Sequence, residues 1–170
     1  VEQGRRAVYL TPLRALGAEL HARWSKRFGG AEVGLFTGET TKKTTPASFS
    51  RASVLLMTPE RLDACTRSWR SHWSWIPDVD LLVVDEFHLL GDRQRGPRLE
   101  GTILRFQRLN PFARVLGLSA TLGNRTELAD WLEGVDYESA WRSVPLDWRV
   151  VRYRKATEKP DLLAREAGDC

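Results

Sequence analysis

Two adjacent carboxylates, Asp85 and Glu86, are followed by Phe87 and then His88, directly after four apolar residues, Leu81-Leu82-Val83-Val84. The apolar run reads as a short strand buried on both faces, as in a parallel sheet. In open α/β sheets, ligands sit outside the carboxyl ends of the strands. The acidic pair falls at such an end, on a rigid support, where it is placed for chemistry. Oxygen and nitrogen ligands in this order could hold a catalytic metal in a hydrolase. That reading lacks a second ligand cluster, because His21 and His72 belong to other segments. The plain alternative is a strand that leaves for solvent through charged residues.

Other strand-like runs stop on polar residues in the same way. Ala7-Val8-Tyr9-Leu10 stops at Thr11-Pro12, Glu32 to Phe36 at Thr37-Gly38-Glu39, and Ser53 to Met57 at Thr58-Pro59-Glu60. A last run, Val115 to Leu118, stops at Ser119-Ala120-Thr121. Helices are expected between them. Threonine as N-cap and proline in the first turn predict helix starts at Thr11-Pro12 and Thr58-Pro59. The first helix has Leu13, Leu16, Leu20, Trp24 and Phe28 on one face and ends at Gly29-Gly30. The second runs from Pro59 towards Trp69. A third spans Arg98 to Leu109, after a loop from Gly91 to Pro97. A fourth spans Thr126 to Leu132, opened by Asn124 with Glu127 and closed by Gly134. Tyr137 to Trp141 and Asp147 to Val151 are candidates for two further strands.

Strands alternating with helices predict right-handed crossovers and a mostly parallel α/β sheet with helices on both faces. All the strands then end on one edge, which gathers Thr11, Thr37, Thr58, Asp85, Glu86, Ser119 and Thr121. The two Thr-Pro helix starts present free N–H groups and a positive dipole end to that edge, and both suit phosphate oxygens.

Composition sets wider bounds. The chain has 170 residues, 42% hydrophobic and 28% charged, enough for one globular domain with a real core. The net charge of +4 fits a polyanionic partner weakly, since basic residues often only solvate a surface. No apolar run approaches the ~20 residues of a membrane span. The cysteines, Cys65 and Cys170, form neither a disulfide framework nor a CxxC pattern, which favours a reducing, cytoplasmic setting. Trp24, Trp69 and Trp131 read as core or interface residues. Trp73 and Trp75, in an expected loop, are open to base stacking or packing.

These residues resemble a known family. Asp85-Glu86-Phe87-His88 is similar to the DExH box of superfamily 2 helicases, and Ser119-Ala120-Thr121 to their SAT motif. Thr11-Pro12-Leu13-Arg14-Ala15-Leu16 resembles the first nucleic-acid motif after the P-loop. Thr37-Gly38 and Thr58-Pro59-Glu60-Arg61 resemble the next two. The block from Asp85 to Glu100, with Arg95-Gly96-Pro97, resembles the superkiller-like branch and, within it, the archaeal-type DNA repair helicases.

The resemblance implies a RecA-like first motor domain over residues 1–151, with 152–170 a linker or tail towards a second RecA-like domain of the same polypeptide. It implies ATP and Mg²⁺ as cofactors. The position of Asp85 would hold Mg²⁺ through water, and that of Glu86 would polarise the water attacking the γ-phosphate. His88, Ser119 and Thr121 would couple the nucleotide state to the partner domain. Pro12, Arg14, Thr37, Gly38, Thr58, Arg61 and Arg95 would meet the nucleic-acid backbone, with DNA favoured over RNA. No GxxxxGK[ST] occurs in the 170 residues. The expectation is therefore a RecA-like sheet without its P-loop strand, cut from a longer protein, with Val115 to Leu118 as an open edge. The alternative is a RecA-like module that binds nucleic acid without catalysis. Phe87, bulkier than the family's usual residue there, is expected to be a packing variation.

Overall fold

The computed structural model describes residues 4–29, 32–37, 52–120 and 122–139. Gly38, Thr121, the expected strand Asp147 to Val151 and the tail lie outside them. Residues up to Val135 belong to one compact unit, and those from Asp136 onward to another.

Five four-residue strands form one parallel sheet: β1 (Ala7–Leu10), β2 (Val33–Phe36), β3 (Val54–Met57), β4 (Leu81–Val84) and β5 (Arg114–Gly117). Their order is β2-β3-β1-β4-β5. β1 is central, with β3 on one side and β4 on the other. β5 pairs with β4, and no other described strand pairs with it, as the open-edge expectation requires. The helices are α1 (Arg14–Phe28), α2 (Pro59–Arg67), the single turn α3 (Trp69–His72), α4 (Gly96–Leu109) and α5 (Arg125–Trp131).

The alternation of side chains along each strand divides the core into two parts. On one face, Val8, Leu10, Phe36, Leu55, Met57, Leu82 and Val84 pack under Leu62 and Cys65 of α2 and Leu99, Ile103 and Phe106 of α4. Of these, Val8, Leu10, Leu55, Met57, Leu62, Leu82, Val84, Ile103 and Phe106 have no exposed surface. On the other face, Val33 and Leu56 meet Leu20 of α1, with Tyr9, Leu16, Trp24 and Leu35 partly buried around them. Towards β5 this second face is open, and Leu116 is 45% exposed. Helices therefore lie on both faces, but unequally.

Two expectations at helix starts are corrected. Thr11 does not cap α1, whose N-cap is Leu13. The Thr11 N–H is still in the sheet, donating to the Met57 carbonyl at 3.0 Å, and the chain bends only at Pro12. α4 begins at Gly96, earlier than the expected Arg98, because Gly96 N–H donates to the Asp92 carbonyl. A Cβ at Gly96 would stand 2.2 Å from the Leu90 carbonyl oxygen, so only glycine allows this approach.

Further along, α2 stops at Arg67 rather than running on to Trp69, since Ser68 leaves the helical region. Trp75 is core, 4% exposed, and Trp73 packs on Phe36 with ring centroids 5.3 Å apart. Burial takes Trp75 out of reach of a nucleic-acid base. Trp69 and Trp131 pack against the core as expected. Tyr137 to Ser139 form no strand, and the rest of that run is outside the described residues.

Buried Asn110 closes the connection into β5. Its amide donates to the Ile76 and Val79 carbonyls (3.1 and 2.7 Å), and its Oδ1 accepts from the Ala113 N–H. Three of its hydrogen-bonding sites are thereby used, as a buried amide requires. The Phe87 ring occupies the space that a side chain at residue 117 would need. A Cβ on Gly117 would be 2.8 Å from the ring, so the large residue in the acidic box is matched by an absent one in β5.

Candidate nucleotide and nucleic-acid site

The sheet register sets the site. Leu10 pairs with Met57 on one side and Val84 on the other, Phe36 with Met57, and Val84 with Gly117. The next residues, Thr37, Thr58, Thr11, Asp85 and Leu118, therefore form one row across the carboxyl edge. Hydrogen bonds extend the ladder into that row: Asp85 N–H to the Leu10 carbonyl and Leu118 N–H to the Val84 carbonyl, each at 2.9 Å.

Beyond Asp85 the backbone turns sharply. Phe87 N–H donates to the Leu118 carbonyl at 2.8 Å, anchoring the chain to the extension of β5. Glu86, caught between these anchors, is left-handed with φ 54° and ψ 47°. For a residue with a Cβ this conformation costs on the order of 1 kcal/mol, and such strain tends to gather at functional sites. A short 3₁₀ turn, Phe87–Gly91, follows.

Both Asp85 oxygens are held by neutral donors. The Tyr9 hydroxyl donates to Oδ2 and the Glu86 N–H to Oδ1, each at 3.0 Å. Among the described residues no lysine or arginine makes an ion pair with Asp85 or Glu86. His88 Nδ1 lies 3.3 Å from Glu86 Oε2 and 3.3 Å from Ser119 Oγ. Histidine thereby links the acidic box to the SAT segment. Burial first, and the bond to Asp85 second, push the Tyr9 phenol up to about 12, so it stays protonated and donating at neutral pH.

The expected nucleic-acid residues spread along the same edge. Arg14 opens α1 and is exposed, and Pro12 is half-buried beside it. Thr37 and Thr58 are both buried. The Arg61 guanidinium stacks over the Phe36 ring at 4.4 Å, and its Nε is buried without a hydrogen-bond partner. Arg95 reaches Glu60 at 3.5 Å, tying the start of α4 to the start of α2.

Sequence reasoning missed Tyr9 and Asp63. A signal for Tyr9 existed: a phenol in a central, otherwise apolar strand needs a partner for its hydroxyl. Asp63, buried on α2, collects Arg67 (3.1 Å), Arg98 (3.9 Å) and, most closely, Arg105. Nothing in the sequence signals it, because two of those arginines come from α4.

The model of the DEAD/DEAH box helicase family matches residues 1–129. The chain belongs to that family. The ATP-dependent DNA helicase Hel308 of Pyrococcus horikoshii is 40% identical over 149 residues, 86% of this chain and 19% of that protein. The Hel308 of Methanococcus vannielii is 34% identical over 145 residues, 84% of this chain and 18% of the relative. The chain thus spans about a fifth of the length of the curated relatives it matches. Among solved structures, the Mycobacterium smegmatis helicase Lhr bound to ssDNA and AMP-PNP aligns with TM-score 0.55 and 28% identity, over 74% of this chain and 18% of that one. The all-parallel sheet with helices on both faces is accordingly the RecA-like fold of the helicases. No helix among the described residues is long and apolar enough to cross a membrane.

Proposed function

We propose that this chain is part of the first motor domain of an ATP-dependent helicase that moves along and unwinds DNA. The observation carrying the reading is the acidic pair at the carboxyl end of β4, strained at Glu86 and lacking a lysine or arginine partner among the described residues. Phosphoryl transfer needs a positioned water and neutralised phosphate charge, and a carboxylate without its own cation leaves room for an external one. Mg²⁺ fits this donor set. Asp85 offers hard oxygen ligands, and no group of three potential ligands forms a protein cage among the described residues. That suits an ion held mainly by phosphates and water. Asp85 would hold the ion through water, which when bound neutralises phosphate charge. Glu86 would orient the attacking water. His88, Ser119 and Thr121 would relay the nucleotide state to a second RecA-like domain of the same polypeptide, reached through residues 152–170.

On this reading Pro12, Arg14, Thr37, Gly38, Thr58, Arg61 and Arg95 grip the backbone of single-stranded or partly duplex DNA without reading its sequence, as translocation requires. The thiol of Cys65 is buried, and burial pushes it up to about 12, so it takes no part in this chemistry. ATP hydrolysis by the intact protein, measured with and without single-stranded DNA or RNA, tests the proposal. Hydrolysis should be stimulated by DNA more than by RNA. Hydrolysis indifferent to nucleic acid would sink it.

A further inference from the structure

We propose that Tyr9 is a positioning residue that fixes the orientation of the Asp85 carboxylate towards the bound metal. The proposal rests on the metal-holding reading of Asp85. Tyr9 pairs in register with Val83, two residues before Asp85, so the phenol and the carboxylate lie on the same face of adjacent strands. The hydroxyl donates to Oδ2 at 3.0 Å, and the Glu86 N–H donates to Oδ1. A carboxylate has about four lone-pair directions. Two neutral donors, one on each oxygen, fix its rotation about the side-chain bond and leave a lone pair on each oxygen. Because neither donor is charged, the carboxylate keeps its full negative charge for a cation.

The phenol is itself held. Trp24 of α1 meets the Tyr9 ring edge-on, with centroids 5.3 Å apart and planes at 90°. Below it, a cavity of about 340 Å³ is bordered by Ala7, Trp24, Val54 and Val83. Ring and hydroxyl thus have separable jobs: the ring packs on α1, and the hydroxyl orients Asp85. Groups behind a first-layer ligand commonly change metal affinity 10–100-fold when removed.

The test uses the intact protein and titrates Mg²⁺ against binding of a fluorescent, non-hydrolysable ATP analogue. Tyr9→Phe keeps the ring and should raise the Mg²⁺ concentration at half-maximal binding about ten-fold. Binding in excess EDTA and the melting temperature should stay near wild type. Tyr9→Met, a second variant without the hydroxyl, should give the same Mg²⁺ shift. Asp85→Ala is the reference. If it raises the Mg²⁺ midpoint while both Tyr9 variants leave it unchanged, Tyr9 has no positioning role and the reading of Asp85 stands. If Asp85→Ala itself leaves the midpoint unchanged, the metal-holding reading falls and the role of Tyr9 falls with it.

Discussion

Asp63 and Asp85 are carboxylates in opposite circumstances. Asp63, 7% exposed, sits between α2 and α4 and is answered by Arg67, Arg98 and Arg105. Its charge is compensated from within the fold. Asp85 is held by a phenol and an amide, neither carrying charge, and the carboxylate of its strained neighbour Glu86 has, among the described residues, the His88 ring beside it. Buried ion pairs are weak evidence for stability gained, yet removing one partner leaves the others stranded. A carboxylate with internal cations therefore serves the scaffold, and one held open by neutral donors is set for a cation from outside.

Removing the scaffold carboxylate should have the largest effect on folding. Asp63→Ala leaves three guanidinium groups without their shared acceptor. It should cost about 2 kcal/mol, less than a fully buried pair would, because Arg67 and Arg98 are mostly exposed. Denaturant melts check this, and an unchanged midpoint would remove the contrast.

A third carboxylate sharpens the comparison at smaller scale. Asp92, fully exposed, accepts at Oδ1 from the Arg95 and Gln94 N–H groups (2.7 and 2.8 Å) just ahead of α4. Those bonds, Arg95 first, lower its pKa below the ordinary 3.8. A lowered folded value means that its contribution is complete above the unfolded value and is lost as pH falls through the folded one. Asp92→Asn should therefore lower stability slightly at neutral pH and flatten the acid limb of the stability curve below about pH 4, where variant and wild type converge. Melts from pH 6 to 3 measure it, and an unaltered acid limb would mean that these bonds have no energetic weight.

The sequence made the edge legible better than the contacts behind it. Apolar runs ending in Thr or Asp located four of the five strand ends in the row, because a parallel sheet fixes which end faces the ligand; β5 ends at Gly117, so Leu118 rather than Ser119 stands in the row. The two Thr-Pro pairs show the limit. Thr58 takes the N-cap position of α2 with Pro59 in its first turn, as its residues imply, although its side chain makes no capping hydrogen bond. Thr11, with the same neighbour, stays in the ladder with Met57, a partner 46 positions away that no local signal names. Trp75 was ambiguous for the same reason, since its burial is decided by distant segments. The bond from Tyr9 to Asp85 spans 76 positions and depends on the register of β1 with β4. The match of Phe87 with Gly117 depends on the register of β4 with β5.

Glu86→Gln in the intact protein, with turnover, nucleotide binding and thermal unfolding followed on the same sample, tests most directly that the acidic pair is catalytic rather than structural. An amide cannot polarise water as the carboxylate does, and loss of a general base typically lowers rates ~10²–10⁴-fold. The variant should bind nucleotide and melt as the wild type does while losing at least about 100-fold in ATP turnover. Turnover near the wild-type rate would contradict the account, as would a loss of activity explained entirely by a lower melting temperature.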